Sequence, residues 1–279
     1  MSVIFQWNES EMKSLLATCH DDDVWTLIQQ NLPMKSRLLE AGCGAGRWVR
    51  FLSDAGYQIT GLEYSSDTVR MVRKVWPDID VQQGDCEASP FPANTFDGVL
   101  SFGVVEHWVE GPEKPLADIY RVLKPGSIAI ITVPCLSEVR QLKRCLFWEE
   151  ILQAPRALAR WMIKRELQPM SRLNKKYKYG VFPAWGNFFE YRMTPEQFRL
   201  EIEKAGFEIK SHLPVAIMDG VYHELNPFGL LVKFAGWKFY PTWAARYVNS
   251  VLSKRPFAHP HMQAIVARKP DFSQGESIA

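Results

Sequence analysis

No run of about 18 apolar residues occurs anywhere in the sequence, which excludes an obvious membrane-spanning helix. The opening residues lack a basic stretch followed by an apolar one, so export through a signal peptide is not expected. Cysteine is scarce: Cys19, Cys43, Cys86, Cys135 and Cys145 are odd in number and scattered, with no Cys-x-x-Cys pair. A disulfide framework and a zinc site are therefore not expected, and a reducing cytoplasm is the setting that fits. An excess of one charge is also missing. With 33 Lys and Arg against 31 Asp and Glu, the net charge is only +2, too little for a non-specific nucleic-acid binder. What the chain does have is length, 279 residues with 47% apolar side chains, enough for a sizeable core in one domain with insertions, or a domain with a small lid.

The core reads as α/β. From residue 36 to 133 short apolar runs alternate with helical patterns, the rhythm of a parallel sheet with crossover helices. Expected strands are Arg37 to Ala41, Gln58 to Glu63, Ile79 to Gln82, Phe96 to Ser101 and Ile128 to Val133. Ser65 or Ser66 starts one helix, and Lys124-Pro125-Gly126 follows the end of another. Residues 1–35 are an N-terminal helical segment in which Glu9 to Leu32 reads as one or two helices with a polar break at His20 to Asp23, packed beside the sheet or over its ligand edge. A basic, aromatic lid insertion follows at 134–192, an αβ unit at 193–215, an aromatic insertion at 216–260, and a last strand, Gln263 to Arg268, with a polar tail at 261–279. In the αβ unit Thr194, Pro195 and Gln197 form a capping box before a helix that stops at Gly206, and Phe207 to Leu213 reads as a strand.

The sharpest local signal is Leu38-Leu-Glu-Ala-Gly-Cys-Gly-Ala-Gly-Arg47, a strand running into a glycine turn and then a helix. Glycine belongs where backbone must approach a ligand closely. A dinucleotide fingerprint wants glycine at the first, third and sixth positions, but here the sixth is Arg47 and the glycines fall at first, third and fifth. This disfavours NAD or FAD, and no Lys-Ser or Lys-Thr follows to make a phosphate loop. Glu40 stands two residues before the first glycine, where it would repel a pyrophosphate and suit a cationic amino or sulfonium group. Glu63 ends the second strand, where a carboxylate can accept both hydroxyls of a ribose. Asp85, in Gln83-Gly-Asp-Cys86, can accept an adenine amino group. Taken singly, Glu63 is an ordinary strand-end carboxylate and Asp85 a turn residue; their register with the glycine turn argues for the ligand.

These residues resemble the class I S-adenosylmethionine (SAM) dependent methyltransferases. Glu40 to Gly46 is similar to that family's first motif, Glu63 to its ribose-binding acid and Asp85 to its adenine-binding acid. Phe91 to Asp97 with Gly98 to His107 is similar to its fourth strand and the loop after it, and Arg121 to Gly126 to the turn before its fifth strand. The resemblance implies a Rossmann-like, seven-stranded, mostly parallel sheet with helices on both faces and an insertion-built lid. Its last strand would be antiparallel, here Gln263 to Arg268, with Phe207 to Leu213 the sixth. It implies SAM as cofactor, contacted by Glu40, Gly42, Gly44, Gly46, Glu63, Tyr64, Asp85, Cys86 and Ser101.

Methyl transfer from a sulfonium needs alignment above all, which can contribute roughly 7 kcal/mol or more. A base is needed only where the acceptor must lose a proton, as a hydroxyl does. The loop Ser101 to Trp108 is not the Asn/Asp-Pro-Pro-Tyr type used on amide or base nitrogens, so nucleic-acid and protein-glutamine acceptors are disfavoured. His107 is the candidate base, since histidine titrates near neutrality; a Glu-His pair here also serves simply to pack and start a helix. Tyr191, beside Glu190, and His223, beside Glu224, are further candidates, as polar pairs framed by aromatics. Such pairs also satisfy the backbone of irregular inserts. His259 and His261 flank Pro260 and read as surface or turn residues.

Between Pro134 and Gly180 eleven Lys and Arg stand against four Glu. Trp148, Trp161, Met162 and Ile163 interleave there with Arg156, Arg160, Lys164 and Arg165, a pattern shared by helices on anionic membranes and by ordinary solvated lids. In the second insertion Phe228, Phe234, Trp237, Phe239, Tyr240, Trp243 and Tyr247 argue for a second small core or a hydrophobic acceptor site. The expected function is methylation of a small-molecule, glycan or lipid-linked acceptor, at oxygen. Alternatives are a carbon or nitrogen methyltransferase of an isoprenoid, quinone or amine, and a SAM-binding regulatory subunit without turnover. Peripheral contact with an anionic membrane is one expected partnership; the oligomeric state is open.

Overall fold

The computed structural model describes residues 7–108, 110–145, 178–182, 188–226, 229–235 and 237–271. The tryptophans and the Arg156 to Arg165 stripe of the lid, and Phe228, lie outside them.

The N-terminal segment forms α1 (Glu9–Leu16), a single 3-10 turn (Cys19–Asp21) and α2 (Asp23–Asn31). The break falls at the polar His20 to Asp23 run, where Asp22 caps α2 by accepting from the Val24 amide at 3.1 Å. The chain then alternates through β1 (Arg37–Ala41), α3 (Arg47–Asp54), β2 (Gln58–Glu63), α4 (Ser66–Val75), β3 (Asp80–Gln83), β4 (Phe96–Phe102), α5 (Glu113–Val122) and β5 (Leu123–Pro134). Ser65 caps α4, accepting from the Thr68 amide. After α6 (Glu138–Cys145), β6 (Lys178–Phe182) pairs antiparallel with β7 (Phe188–Arg192). The expected capping box starts α7 (Pro195–Lys204), and β8 (Glu208–Val215) follows. The second insertion is α8 (Ile217–Leu225), a hairpin of β9 (Val232–Ala235) and β10 (Lys238–Pro241), and α9 (Trp243–Leu252); β11 (Met262–Arg268) closes the sheet.

The seven-stranded sheet has the order β3-β2-β1-β4-β5-β11-β8. Its first five strands pair in parallel, and β11 runs antiparallel between β5 and β8. This is the Rossmann-like arrangement that the sequence implies, with the antiparallel strand where it was expected. The Ile128 to Val133 run lies inside β5, between helices on both faces, which is why it is apolar without alternation. One detail differs. Leu123 already pairs with Phe96 before the register shifts to Gly98 with Ile128, so the Lys-Pro-Gly stretch is a bulged strand entrance rather than a free turn.

Two cores flank the sheet. One packs α1 to α4 against it through Trp48, Val49, Leu52, Val69 and Val72; the other gathers α5 and α7 through Leu116, Ile119, Phe198 and Ile202. A third, small core of Val221, Val232 and Ala245 holds the second insertion together, with Tyr222 and Phe239 against it. The first insertion leaves and rejoins the sheet, and the second rejoins it, at one backbone knot. There the Cys135 amide donates to His261 O and the Leu136 amide to Met193 O, each at 2.8 Å, and the Met193 amide donates to Pro134 O at 3.2 Å. Among the described residues no helix is long and apolar enough to cross a membrane.

Candidate functional site

Parallel strands deliver their chain reversals to one edge of the sheet, and a cavity of about 330 Å³ opens there, over the ends of β1, β2 and β4. Its floor is the glycine turn. The amides of Gly42 and Cys43 both donate to Leu62 O, at 2.8 and 2.9 Å, so the turn lies across the end of β2. Gly42 has φ +79°, and a Cβ there would stand 2.6 Å from Val104 Cγ1. Only glycine lets the turn and the loop after β4 approach so closely. The Gly44 amide donates to Glu63 Oε2 at 3.0 Å, and the Ser65 amide to Glu63 Oε1 at 2.8 Å. Burial pushes the Glu63 carboxyl above its usual range, while those amides pull it back.

Glu40 points into the cavity from β1. It is buried, its Oε2 has no hydrogen-bond partner, and burial raises its pKa to about 8 against the pull of Arg47. Arg47 is itself engaged: Nη1 donates to Thr18 Oγ1 at 2.9 Å, and Nη2 stands 3.4 Å from Asp22 Oδ2. Asp85 lines the far wall and accepts from the Glu87 amide at 2.9 Å through Oδ1. Beside it Cys86 is buried, and burial pushes its thiol up, as it does that of Cys43.

The remaining wall is the loop after β4, with Phe102, Gly103, Val104, His107 and Trp108. His107 Nε2 lies 3.1 Å from Gly103 O. A carbonyl can only accept, so Nε2 carries the proton and the lone pair belongs to Nδ1. Glu106 is buried at 1% exposure, its Oε1 4.0 Å from His107 Nε2. Burial holds its carboxyl well above the usual range.

Of the sequence candidates, Glu40, Gly42, Gly44, Glu63, Tyr64, Asp85, Cys86 and His107 line this cavity. Four do not. Gly46, at φ +71°, caps α3, and a Cβ there would meet Val72 Cγ1 at 3.1 Å, so it serves helix packing. Ser101 is fully buried, and because strand side chains alternate, Phe102 takes the cavity face. Tyr191 is 0% exposed among Val105, Leu116 and Phe198. His223 lies on α8, 3.0 Å from Asp219 Oδ1 and stacked on His261. Of His259 and His261, read as surface or turn residues, His259 is instead buried and His261 half-buried; desolvation lowers the His261 imidazole to about 4. Asp219, His223 and His261 bring donor atoms within 4.8 Å of one another, but Arg140 Nη2 stands 3.5 Å from His261 Nδ1, a fixed positive charge against any cation.

Sequence reasoning passed over Trp7, Leu15, Arg47, Trp48 and Thr68, which also line the cavity. Arg47 had a signal, standing where a dinucleotide turn has its third glycine. Trp7 and Leu15 had only the weaker one of an amphipathic segment before the first strand.

Three carboxylates face a cavity whose one arginine is already paired, a lining that repels a polyphosphate and welcomes a cationic nucleoside ligand. The unpartnered Glu40 oxygen fits an ammonium group, and Glu63 and Asp85 fit a ribose and an adenine amino group, so the residues present suit SAM. Such a site, on an α/β sheet of this topology, suits a positively charged nucleoside ligand. Comparison with known proteins narrows the class. Residues 39–131 match the family model of a methyltransferase domain. The chain is 34% identical over 98 residues to a probable S-adenosylmethionine-dependent methyltransferase of Mycolicibacterium smegmatis, over 35% of this chain and 37% of the relative. It is 30% identical over 132 residues to a malonyl-[acyl-carrier protein] O-methyltransferase of Enterobacter lignolyticus, over 47% of this chain and 51% of the relative. The matched stretch thus spans between about a third and a half of these relatives' length. In fold, the chain is similar to an S-adenosylmethionine dependent methyltransferase from Mesorhizobium loti, with a TM-score of 0.53, 14% identity, and 90% and 99% of the two chains covered. Residues 39–131 are a methyltransferase domain of the class I, SAM-dependent family.

Proposed function

We propose that the chain is an enzyme that methylates a small-molecule, glycan or lipid-linked acceptor at oxygen, working in the cytoplasm and, where the acceptor is lipid-linked, against a membrane surface. The observation that carries this is the meeting in one cavity of the Glu40, Glu63 and Asp85 carboxylates with His107. Glu40 would hold the amino group of SAM, Glu63 its ribose and Asp85 its adenine. When bound, SAM supplies an electrophilic methyl group on a sulfonium sulfur. The protein aligns the acceptor against it, and His107 Nδ1 takes the proton that a hydroxyl must lose. The O-methyltransferase among the relatives supports oxygen as the acceptor atom.

Two measurements test the reading. SAM and its demethylated product should each raise the melting temperature by mass action, and NAD should not. With a labelled methyl donor and a panel of hydroxyl acceptors, His107→Ala should lower turnover by about 10²-fold or more with SAM affinity unchanged. Stabilisation by NAD with none by SAM would overturn the cofactor assignment. Turnover unaffected in His107→Ala would remove the base and favour an acceptor with no proton to lose. If no acceptor panel turns over while SAM binds, the regulatory-subunit alternative gains ground.

A further inference from the structure

We infer that the unit of α8, the β9–β10 hairpin and α9 docks onto the surface of an anionic lipid bilayer. The inference deepens the lipid-linked form of the function proposed above and rests on it. Position comes first. The chain enters this unit from Val215, at the end of β8, and leaves it into Met262, which pairs with Pro134 at the end of β5. Since β8 runs parallel to β5, both points lie on the sheet edge that carries the glycine turn and the loop after β4. A lipid surface touching this unit therefore lies on the side of the molecule from which an acceptor reaches the cavity.

The surface itself is apolar, aromatic and cationic. On α9, Trp243 (81% exposed), Tyr247 (65%) and Val251 (47%) repeat at every fourth residue, one stripe of the helix. Arg246 and Lys254, both exposed, flank it. On the hairpin, Lys233 faces Tyr240 and Ala235 faces Lys238 across the strands, all four exposed, while Phe239 turns the other way onto Tyr222. Trp and Tyr beside Lys and Arg are the side chains that settle at a membrane interface, ring in the headgroup layer and cation on the phosphates.

Charge says what covers this surface. From Leu225 to Pro270 the chain carries no Asp or Glu. Lys238 pairs with Asp21 and Arg255 with Glu138; Lys233, Arg246 and Lys254 make no ion pair with any described residue. A second copy is a poor partner, because a two-fold interface through the hairpin and α9 would set these cations against themselves without one acid on those elements to answer them. A sheet of anionic headgroups answers all of them at once.

The test is co-sedimentation of the full chain with vesicles at low and at physiological salt, without methyl donor. Binding is expected to vesicles of equimolar phosphatidylcholine and phosphatidylglycerol and not to phosphatidylcholine alone, weakening as salt rises. Replacing Lys233, Arg246 and Lys254 together by Gln should weaken it on the order of a hundredfold. Trp243→Ala should weaken it about tenfold, and Trp243 fluorescence should shift to the blue on binding. SAM affinity, measured in the same variants, should not move, which shows that they are folded. Wild-type protein left in the supernatant at low salt overturns the inference, as does a triple variant that binds like wild type. Concentration-dependent dimerisation abolished by Trp243→Ala would overturn it in favour of a second copy, and capture by an acidic polypeptide with none by vesicles in favour of a protein partner. Vesicle binding that fails while SAM still binds sinks this surface alone; loss of SAM binding by the wild type sinks the function proposed above.

Discussion

The half of the sheet from β3 to β4 and the half beyond β5 solve different problems. In the first, the turn and the acids that face the cavity each sit at a strand end: a glycine turn between β1 and α3, an acid at the end of β2, an acid just after β3. In the second, the structure is held by pairs far apart in sequence. Arg140 Nε donates to Glu224 Oε1 at 2.6 Å across 84 residues, and Lys143 joins the same carboxylate at 3.2 Å. Burial drives Glu224 up, but the two cations outweigh it and hold the carboxyl below its usual range. A nucleoside site can be built from short turns at strand ends, whereas the half beyond β5 rests on pairs that no local stretch of sequence contains.

The sharpest way to break this contrast is at Gly42. Gly42→Ala puts a methyl 2.6 Å from Val104 Cγ1 in a left-handed backbone conformation, so the turn and the loop after β4 must part. SAM binding should fall below detection by calorimetry, a loss of about 3 kcal/mol or more. Arg140→Ala tests the other half. It leaves Glu224 buried without its main partner and should cost roughly 3–5 kcal/mol of unfolding free energy by denaturant titration, while SAM affinity stays within twofold. A drop in SAM affinity as large as that of Gly42→Ala would erase the division into two halves.

Glu63→Ala removes the carboxylate that clasps two amides, and calorimetry should show affinity for SAM weakened by roughly 1.5–3 kcal/mol. Glu40→Gln separates binding from stability. A carboxyl whose folded pKa is raised from 4.5 to about 8 keeps its proton in the folded state while the unfolded state loses one, so stability falls as pH climbs from about 4.5 to 8 and then levels. The variant without ligand should therefore melt above wild type at pH 8, by about 3 °C or more. That gap should close toward pH 5, and SAM should bind it more weakly at every pH. Smallest is Tyr191→Phe. With its ring packed among Val105 and Phe198, turnover should stay within about twofold of wild type; a large fall would return Tyr191 to the acceptor site.

The contrast also governs what could be read in advance. The bounds of β1 and β2 are legible because each ends on a residue with a reason to be there, a glycine turn or a strand-end acid. Ser101 was misplaced for want of one fact, the parity of β4, which only the packing of Phe102 decides. His259 and His261 were read as surface because proline between two histidines is ordinary turn chemistry; nothing local says that Ala258 O accepts the Val139 amide and that the segment is folded inward. Arg140 carries no periodic or motif signal, and Glu224 stands out only as half of a polar pair with His223; their partnership exists only in three dimensions.

The backbone knot at Cys135, Met193 and His261 has a consequence for how such a molecule could be altered. Four hydrogen bonds between main-chain atoms, the three at Cys135, Leu136 and Met193 and one from the His261 amide to Ala216 O at 3.3 Å, none dependent on side-chain identity, fix where both insertions depart and return. A graft that replaced 136–192 and 216–260 from another chain would meet the sheet at anchor points any sequence can form, proline amides excepted. Under the function proposed above, the seam makes the two insertions an exchangeable cassette, and a chimera cut there should keep its β-sheet and its affinity for SAM whatever acceptor it then takes.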